Sequence, residues 1–568
     1  MIHISLSTPH VHRKMVKVRV SFSHSEENQI VQLSSWRPGR YEMGNFAKNI
    51  SHIKAFNSSN ENIELRKIEK DKWLISCSAN EQITFEYFYC AAELNAGSTY
   101  VNSQMLYVNP VNCIPFLPGR ANENYTVEIL DSYAHLSCGL PHEGNKMFAQ
   151  NFDELADSPF VASHNREVLS QEINGVHFYA NIFGITNLNF ERFWNDVRIY
   201  SQLQLNIFGE FPVSKYRYLL HFTPYFMHHG VEHNTSTVIV MGHGENFDRE
   251  EKYNEILAIC SHELFHTWNV KTLRPVEMMP YNFTKENYTQ LGYVDEGVTT
   301  YYGDLCLRRS GIWNNDLWKQ SLEKWLNTHH RNYGRFSYSV ADSSVDTWLD
   351  GYTPGVPWRK VSIYNEGALL SMILDIELIA ATNGQKSMDD VMHNMYHAFA
   401  KNKIGYSVDD YWKTLEATGL SNANEFRTNI AEKAVDYSEY LQKAFSKIGV
   451  ELAWSPSTIA TERLFGFSVD IMNEKSIVTS ICPDSAADLA GLWYGDEIIE
   501  IDGIGVSKNV QFLLENCTSS NIRYIRNKVG FETELTSNSK HPNIQKVEIV
   551  WPNQPNTLFL QWIGQRFK

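Results

Sequence analysis

Long apolar runs are missing from this sequence. The best stretch, Gly367–Thr382, is interrupted by Asp375 and Glu377 and is too short to cross a bilayer. A leader is missing as well: MIHISLSTPHVHRKMVKVRV lacks the apolar core and small-residue cleavage site of a secretory signal, so the expected location is cytoplasmic. Positive charge is scarce. The 50 Lys and Arg face 65 Asp and Glu, and the net charge of −15 argues against nucleic acid or an anionic membrane as partner. The eight cysteines are scattered with no C-x-x-C, and the expected reading is buried free thiols in a reducing compartment. There is no fixed-period repeat and no low-complexity tract. With 43% hydrophobic and 20% charged residues, the chain is neither disordered nor fibrous.

The text changes character along its length. Up to about Ser163 it alternates like strands, as in KVRVSF (17–22), KWLISC (72–77) and QITFEYFYC (82–90), with Pro-Gly turns at 38–39 and 118–119. Helical periodicity starts near Asn187 and dominates from about 249 to 448, with capping pairs at Ser387/Asp390 and Ser407/Asp410. Trp454–Thr461 reads as a linker, after which strands return. The expected fold is multidomain α+β. A β-sandwich-like domain spans 1–165, a mainly helical catalytic domain 166–453, and a small β domain 454–568.

The sharpest motif is His262-Glu263-Leu264-Phe265-His266. Residues i and i+4 share a helix face, so both imidazoles can reach one Zn²⁺ while Glu263 stands beside them as a base for water. A catalytic zinc takes a third protein ligand and keeps one position open. Glu296, 30 residues after His266 in Tyr293-Val294-Asp295-Glu296-Gly297, is the candidate. Asp-Glu-Gly alone more often marks a solvated turn; beside H-E-x-x-H it completes a His₂Glu set. The expected cofactor is one zinc per chain. A cluster of His at 228, 229 and 233 invites a second metal, but the ligand set is complete without it. His329 and His330 read as surface residues.

These residues resemble the gluzincin aminopeptidases and, within them, the M61 glycyl aminopeptidase family. SHELFHTWNVKTLRP (261–275) is similar to the family's zinc helix and its exit, SWRPGRY (35–41) to its N-terminal signature, and GVEHNTSTV (230–238) to its Gly-Gly-x-Glu-His segment. The resemblance implies a thermolysin-like catalytic domain. It implies Tyr364, in VSIYNEGALL (361–370), as the hydroxyl that stabilises a tetrahedral oxyanion, and Glu232 as the carboxylate that receives a free α-ammonium, with Gly230 and His233 beside it. His233 is expected to hydrogen-bond Glu232. Val231 departs from the family's glycine, Tyr293 stands where relatives carry Trp, and Asn365-Glu366 replaces a Lys-bearing pair. In the C-terminal part, Leu464-Phe465-Gly466-Phe467 resembles the carboxylate-binding loop of PDZ domains, and the Ala490-Gly491-Leu492…Gly495-Asp496 run matches that fold. Such a module either receives a protein C-terminus or only packs on the catalytic domain.

Three functions remain open on the sequence. The first is a zinc aminopeptidase acting on peptides, with the family's preference for small N-terminal residues such as Gly and Ala. The second is a zinc endopeptidase assisted by the PDZ module. The third is a catalytically dead peptide-binding scaffold. Glu232 separates the first two, because an internal peptide bond offers it no charge. The sequence sets no oligomeric state.

Overall fold

The computed structural model describes residues 1–23, 27–353, 355–537 and 544–564. The N-terminal part is β-rich, as the alternation predicts. Strands Ile2–His10, Met15–Ser23 and Gln82–Cys90 alternate buried and exposed residues and lie in the middle of a seven-stranded sheet. Smaller three- and four-stranded sheets share its core, where Val18, Phe85, Tyr87 and Trp73 are fully enclosed. The strand Val176–Phe183, which reads like its predecessors, instead lies second in a five-stranded sheet of the catalytic part, between Glu167–Ile173 and Lys215–Thr223. That sheet ends on the strand Met227–Glu232, which pairs on one side only, antiparallel to Ser236–Gly242.

Helices Phe190–Phe208, Glu250–Phe265, Thr299–Arg309 and Ile363–Ala381 form the body beside this sheet. Ile363–Ala381 is buried over most of its length. Asp375 accepts from Tyr301 Oη (2.6 Å) and from the Met388 amide (2.8 Å), so a buried carboxylate is satisfied. Among the described residues, no helix is long and apolar enough to cross a membrane, and all eight cysteines are free.

The linker expectation at 454–461 and the 454–568 boundary need correcting. Glu451–Pro456 is a strand, paired antiparallel with Gln545–Val550. Val547 exchanges two hydrogen bonds with the Asn327 side chain (2.9 and 3.0 Å), and Trp562 packs in the catalytic core, where its indole N–H donates to Tyr301 Oη (2.9 Å). The chain thus leaves the helical body on one strand of a ribbon and returns on the other. The PDZ-like core lies between them, built from Phe465, Phe467, Val478, Ile498, Ile522 and Leu535. A strand such as KVEIVW looks the same in either domain, so composition alone could not assign it.

Candidate metal and substrate site

Local packing explains why the site forms. The helix Glu250–Phe265 begins with two acids and buries Ile256, Leu257, Cys260 and Leu264, leaving His262 and Glu263 along one side. His266 caps its C-terminus, and its Nδ1–H donates to the Asn269 carbonyl (2.7 Å). That bond fixes the tautomer and leaves Nε2 free as a ligand. The Asn269 side chain donates to the carbonyls of Val294 (2.9 Å) and Asp295 (3.2 Å), so one residue ties the second histidine to the turn that carries Glu296.

Glu296 sits in a π-helical turn, Tyr293–Val298, that runs into Thr299–Arg309; such turns frequently occur at functional sites. Two glycine contacts set its position. A Cβ on Gly297 would lie 2.3 Å from Gly367 Cα, and one on Gly303 would lie 3.2 Å from His262 Cα. The helix bearing Glu296 can therefore touch the backbones of both the helix bearing Tyr364 and the helix bearing the histidines. Tyr364 stands one turn before Gly367, beside the Glu296 carboxylate.

The ligand atoms of His262, His266 and Glu296 all lie within 4.8 Å of one another. Nε2 to Nε2 is 3.0 Å, and Glu296 Oε2 is 3.3 Å from His266 Nε2 and 3.8 Å from His262 Nε2. Ligands about 2.0–2.1 Å from a tetrahedral zinc are about 3.3 Å apart, so the cluster fits that ion. Without a metal, burial and the neighbouring His266 push His262 down to about 3. Burial also opposes charge on His266, but the Glu296 carboxylate overrides it and raises His266 to about 10. Glu263 is buried with Oε2 unpartnered, and burial, reinforced by the Glu232 and Glu296 charges, pushes it up to about 8 despite His266. The glycine at 230 follows from this, since a Cβ there would come within 2.2 Å of Glu263 Oε1.

Glu232 is buried at the end of the edge strand, on the active-site side of the sheet. Among the described residues its carboxylate makes no hydrogen bond or ion pair. Gly39, at φ +73°, lets the N-terminal loop pass so closely that a Cβ there would be 2.5 Å from Glu232 Oε2. The expected His233–Glu232 bond is absent. His233 Nδ1 lies 3.1 Å from Asp157 Oδ1, which also accepts from Lys271 Nζ (2.8 Å), while Asp157 Oδ2 accepts from the Asn234 amide (2.9 Å). His233 therefore anchors its loop to the N-terminal domain, because it faces Asp157 there. Val231 points away from the site into an apolar cluster with Val238 and Val240.

Other expectations are also corrected. His329 is fully buried rather than on the surface: Nδ1 is 2.6 Å from Glu366 Oε2, and the Tyr437 amide donates to Nε2 (3.0 Å). It groups with His330 and Asp436 at metal-binding distances. However, Asp436 is taken by Arg335 and Ser438 and both His329 nitrogens are engaged, whereas His330 Nε2 has no hydrogen-bond partner among the described residues. Tyr293 needs no correction: it packs in the core, as expected, and its hydroxyl accepts from Trp412 Nε1 (3.1 Å). In the PDZ-like unit, Thr461–Phe465 is wound into a helical turn, with the Arg463 amide on Ile459 O (2.9 Å) and the Gly466 amide on Thr461 O. Phe465 and Phe467 are buried in the core, Leu464 packs at its edge, and Gly466 lies against Ser485. Part of the amide set expected to receive a carboxylate is thus used internally.

The fold and the His₂Glu cluster are those of a zinc metallopeptidase. The M61 glycyl aminopeptidase model matches residues 255–370 and the M61 N-terminal domain model matches 3–164; a PDZ domain model matches 457–511. Among solved structures, an aminopeptidase N family protein from Idiomarina loihiensis is 23% identical over 99% of this chain and 100% of its own, with a TM-score of 0.90. That likeness speaks for the fold. An M1 zinc metallopeptidase from Deinococcus radiodurans is 13% identical over 76% of this chain and 94% of its own, with a TM-score of 0.46. No curated protein matches the sequence.

Proposed function

We propose that the protein is an aminopeptidase that removes N-terminal residues, small ones such as Gly or Ala foremost, from peptides. The observation that carries this reading is Glu232: a buried carboxylate that makes no hydrogen bond or ion pair among the described residues and lies near enough to Glu263 for its charge to be felt there. A free α-ammonium satisfies it, whereas an internal amide leaves it buried and uncompensated.

His262, His266 and Glu296 would hold one zinc ion per chain. When bound, zinc supplies Lewis-acid polarisation of the scissile carbonyl and lowers the pKa of water. Glu263 takes the proton from the attacking water and passes it to the leaving amine; its unpartnered Oε2 suits both halves of that task. Burial and the Glu296 charge keep the Tyr364 phenol protonated, so it acts as a donor to the developing oxyanion. Gly230 clears space for Glu263, and His233 holds the Glu232 loop through Asp157.

The PDZ-like unit reads best as a docked module. Arg331 of the catalytic part donates to the buried Glu462 (2.9 Å), and Trp358 packs on the unit's core and against Trp493. The test of the aminopeptidase reading compares free and N-acetylated peptides on the parent and on Glu232→Gln. The variant should lose about 1.5–3 kcal/mol of selectivity for the free amine. Equal cleavage of blocked and free peptides by the parent refutes the reading in favour of an endopeptidase.

A further inference from the structure

The two oxygens of Glu296 face different neighbours. Oε2 points to both imidazoles, while Oε1 accepts the Tyr41 hydroxyl at 2.9 Å. Tyr41 does not come from the catalytic domain. It ends the Trp36–Tyr41 loop of the N-terminal domain, 255 residues away in sequence. That loop is strapped to the catalytic part at several points. The Ser35 and Trp36 amides both donate to Phe283 O (2.8 and 3.1 Å), and Trp36 packs on Tyr281 and Trp348 at ring distances of 5.6 and 5.5 Å. The Trp36 indole N–H donates to Arg40 O (2.5 Å), closing the turn, and the Tyr41 ring stands edge-on to Trp348 at 6.0 Å.

We propose that Tyr41 is a positioning residue of the metal centre, supplied across the domain boundary to hold Glu296 with one oxygen toward the ion. The proposal rests on the zinc reading of the His₂Glu cluster. A carboxylate whose second oxygen is engaged by a fixed phenol presents a single ligand atom. Released from it, the same carboxylate can rotate or offer both oxygens, and the open coordination position is lost. The N-terminal domain is then a structural part of the catalytic centre.

The test uses the full chain, stripped of metal and titrated with zinc against a chromogenic chelator. Tyr41→Phe should bind zinc ten- to a hundredfold more weakly than the parent, the range set by loss of a carboxylate's outer partner. The visible spectrum of its cobalt form should change as Glu296 alters its coordination, while the far-ultraviolet circular dichroism stays that of the parent. Trp348→Leu keeps the hydroxyl but removes the ring's support. It should show a smaller loss in the same titration, and it decides the matter if Tyr41→Phe does not fold. Zinc affinity within threefold of the parent and an unchanged cobalt spectrum, in whichever variant folds, overturn the proposal. Glu296→Gln in the same titration tests the underlying zinc reading separately: if it binds zinc like the parent, that reading fails whatever Tyr41 does.

Discussion

Gly39→Ala tests how the N-terminal loop seats the residue proposed to receive the substrate amine. Two effects add. Gly39 has φ +73°, where a side chain costs about 1–2 kcal/mol. The new Cβ would also stand 2.5 Å from Glu232 Oε2 and 2.9 Å from Oε1. An ordinary contact needs about 3.4 Å, so the carboxylate must retreat by nearly an ångström, and a misplacement of that size costs on the order of a hundredfold in rate. The charge-assisted bond at stake is worth about 1.5–3 kcal/mol, or roughly ten- to a hundredfold in kcat/KM. Gly119→Ala separates the two effects, because Gly119 has φ +80° with nothing within 4 Å of the added carbon. Both variants should lose similar stability in urea, and only Gly39→Ala should lose kcat/KM on an alanine anilide, with zinc content unchanged. If the two variants keep equal activity, the placement of Glu232 against Gly39 has no part in catalysis.

Asp157→Asn leaves Lys271 buried without its partner and should cost about 3–5 kcal/mol at pH 7. Burial alone would raise the Asp157 carboxyl, but Lys271 and His233 hold it well below the usual range. Its stabilisation is therefore complete above the unfolded value of about 4 and is lost as pH falls through the folded one, so the gap between parent and variant should narrow from pH 5 to pH 3. A gap that is constant with pH, measured by denaturant unfolding, contradicts this. Glu263→Gln should abolish turnover and keep the metal, and retained activity ends its role as base. Tyr364→Phe should lower kcat by about a hundred- to a thousandfold with little change in KM, and an unchanged kcat removes Tyr364 from the oxyanion site.

Much of this site could be read from the sequence because its signals are local. An i, i+4 histidine pair needs only a helix, and Glu296 was placed by its distance from that helix and by the glycine after it. The supporting residues could not be read that way. Tyr41 and Asp157 reach the site from another domain, and nothing in SWRPGRY names the carboxylate its tyrosine touches. Asn269 follows the zinc helix directly, yet its part depends on a π-helical turn that no periodicity predicts. The facing glycines 297 and 367 lie in Glu-Gly pairs whose physical reason, backbone contact between helices, is not visible in the sequence. Adjacency in sequence suggests a His233–Glu232 bond, but His233 lies just past the strand end and turns to Asp157 of the N-terminal domain. The return of residues 545–563 to the helical body rests on packing at long sequence separation, which composition does not encode.

The central claim is that one zinc ion is held by His262, His266 and Glu296. Metal analysis of purified chain tests it most directly. The parent should carry one zinc per chain and Glu296→Ala close to none, with the fold of both verified by circular dichroism. A Glu296→Ala chain that holds zinc as fully and as tightly as the parent would contradict the account.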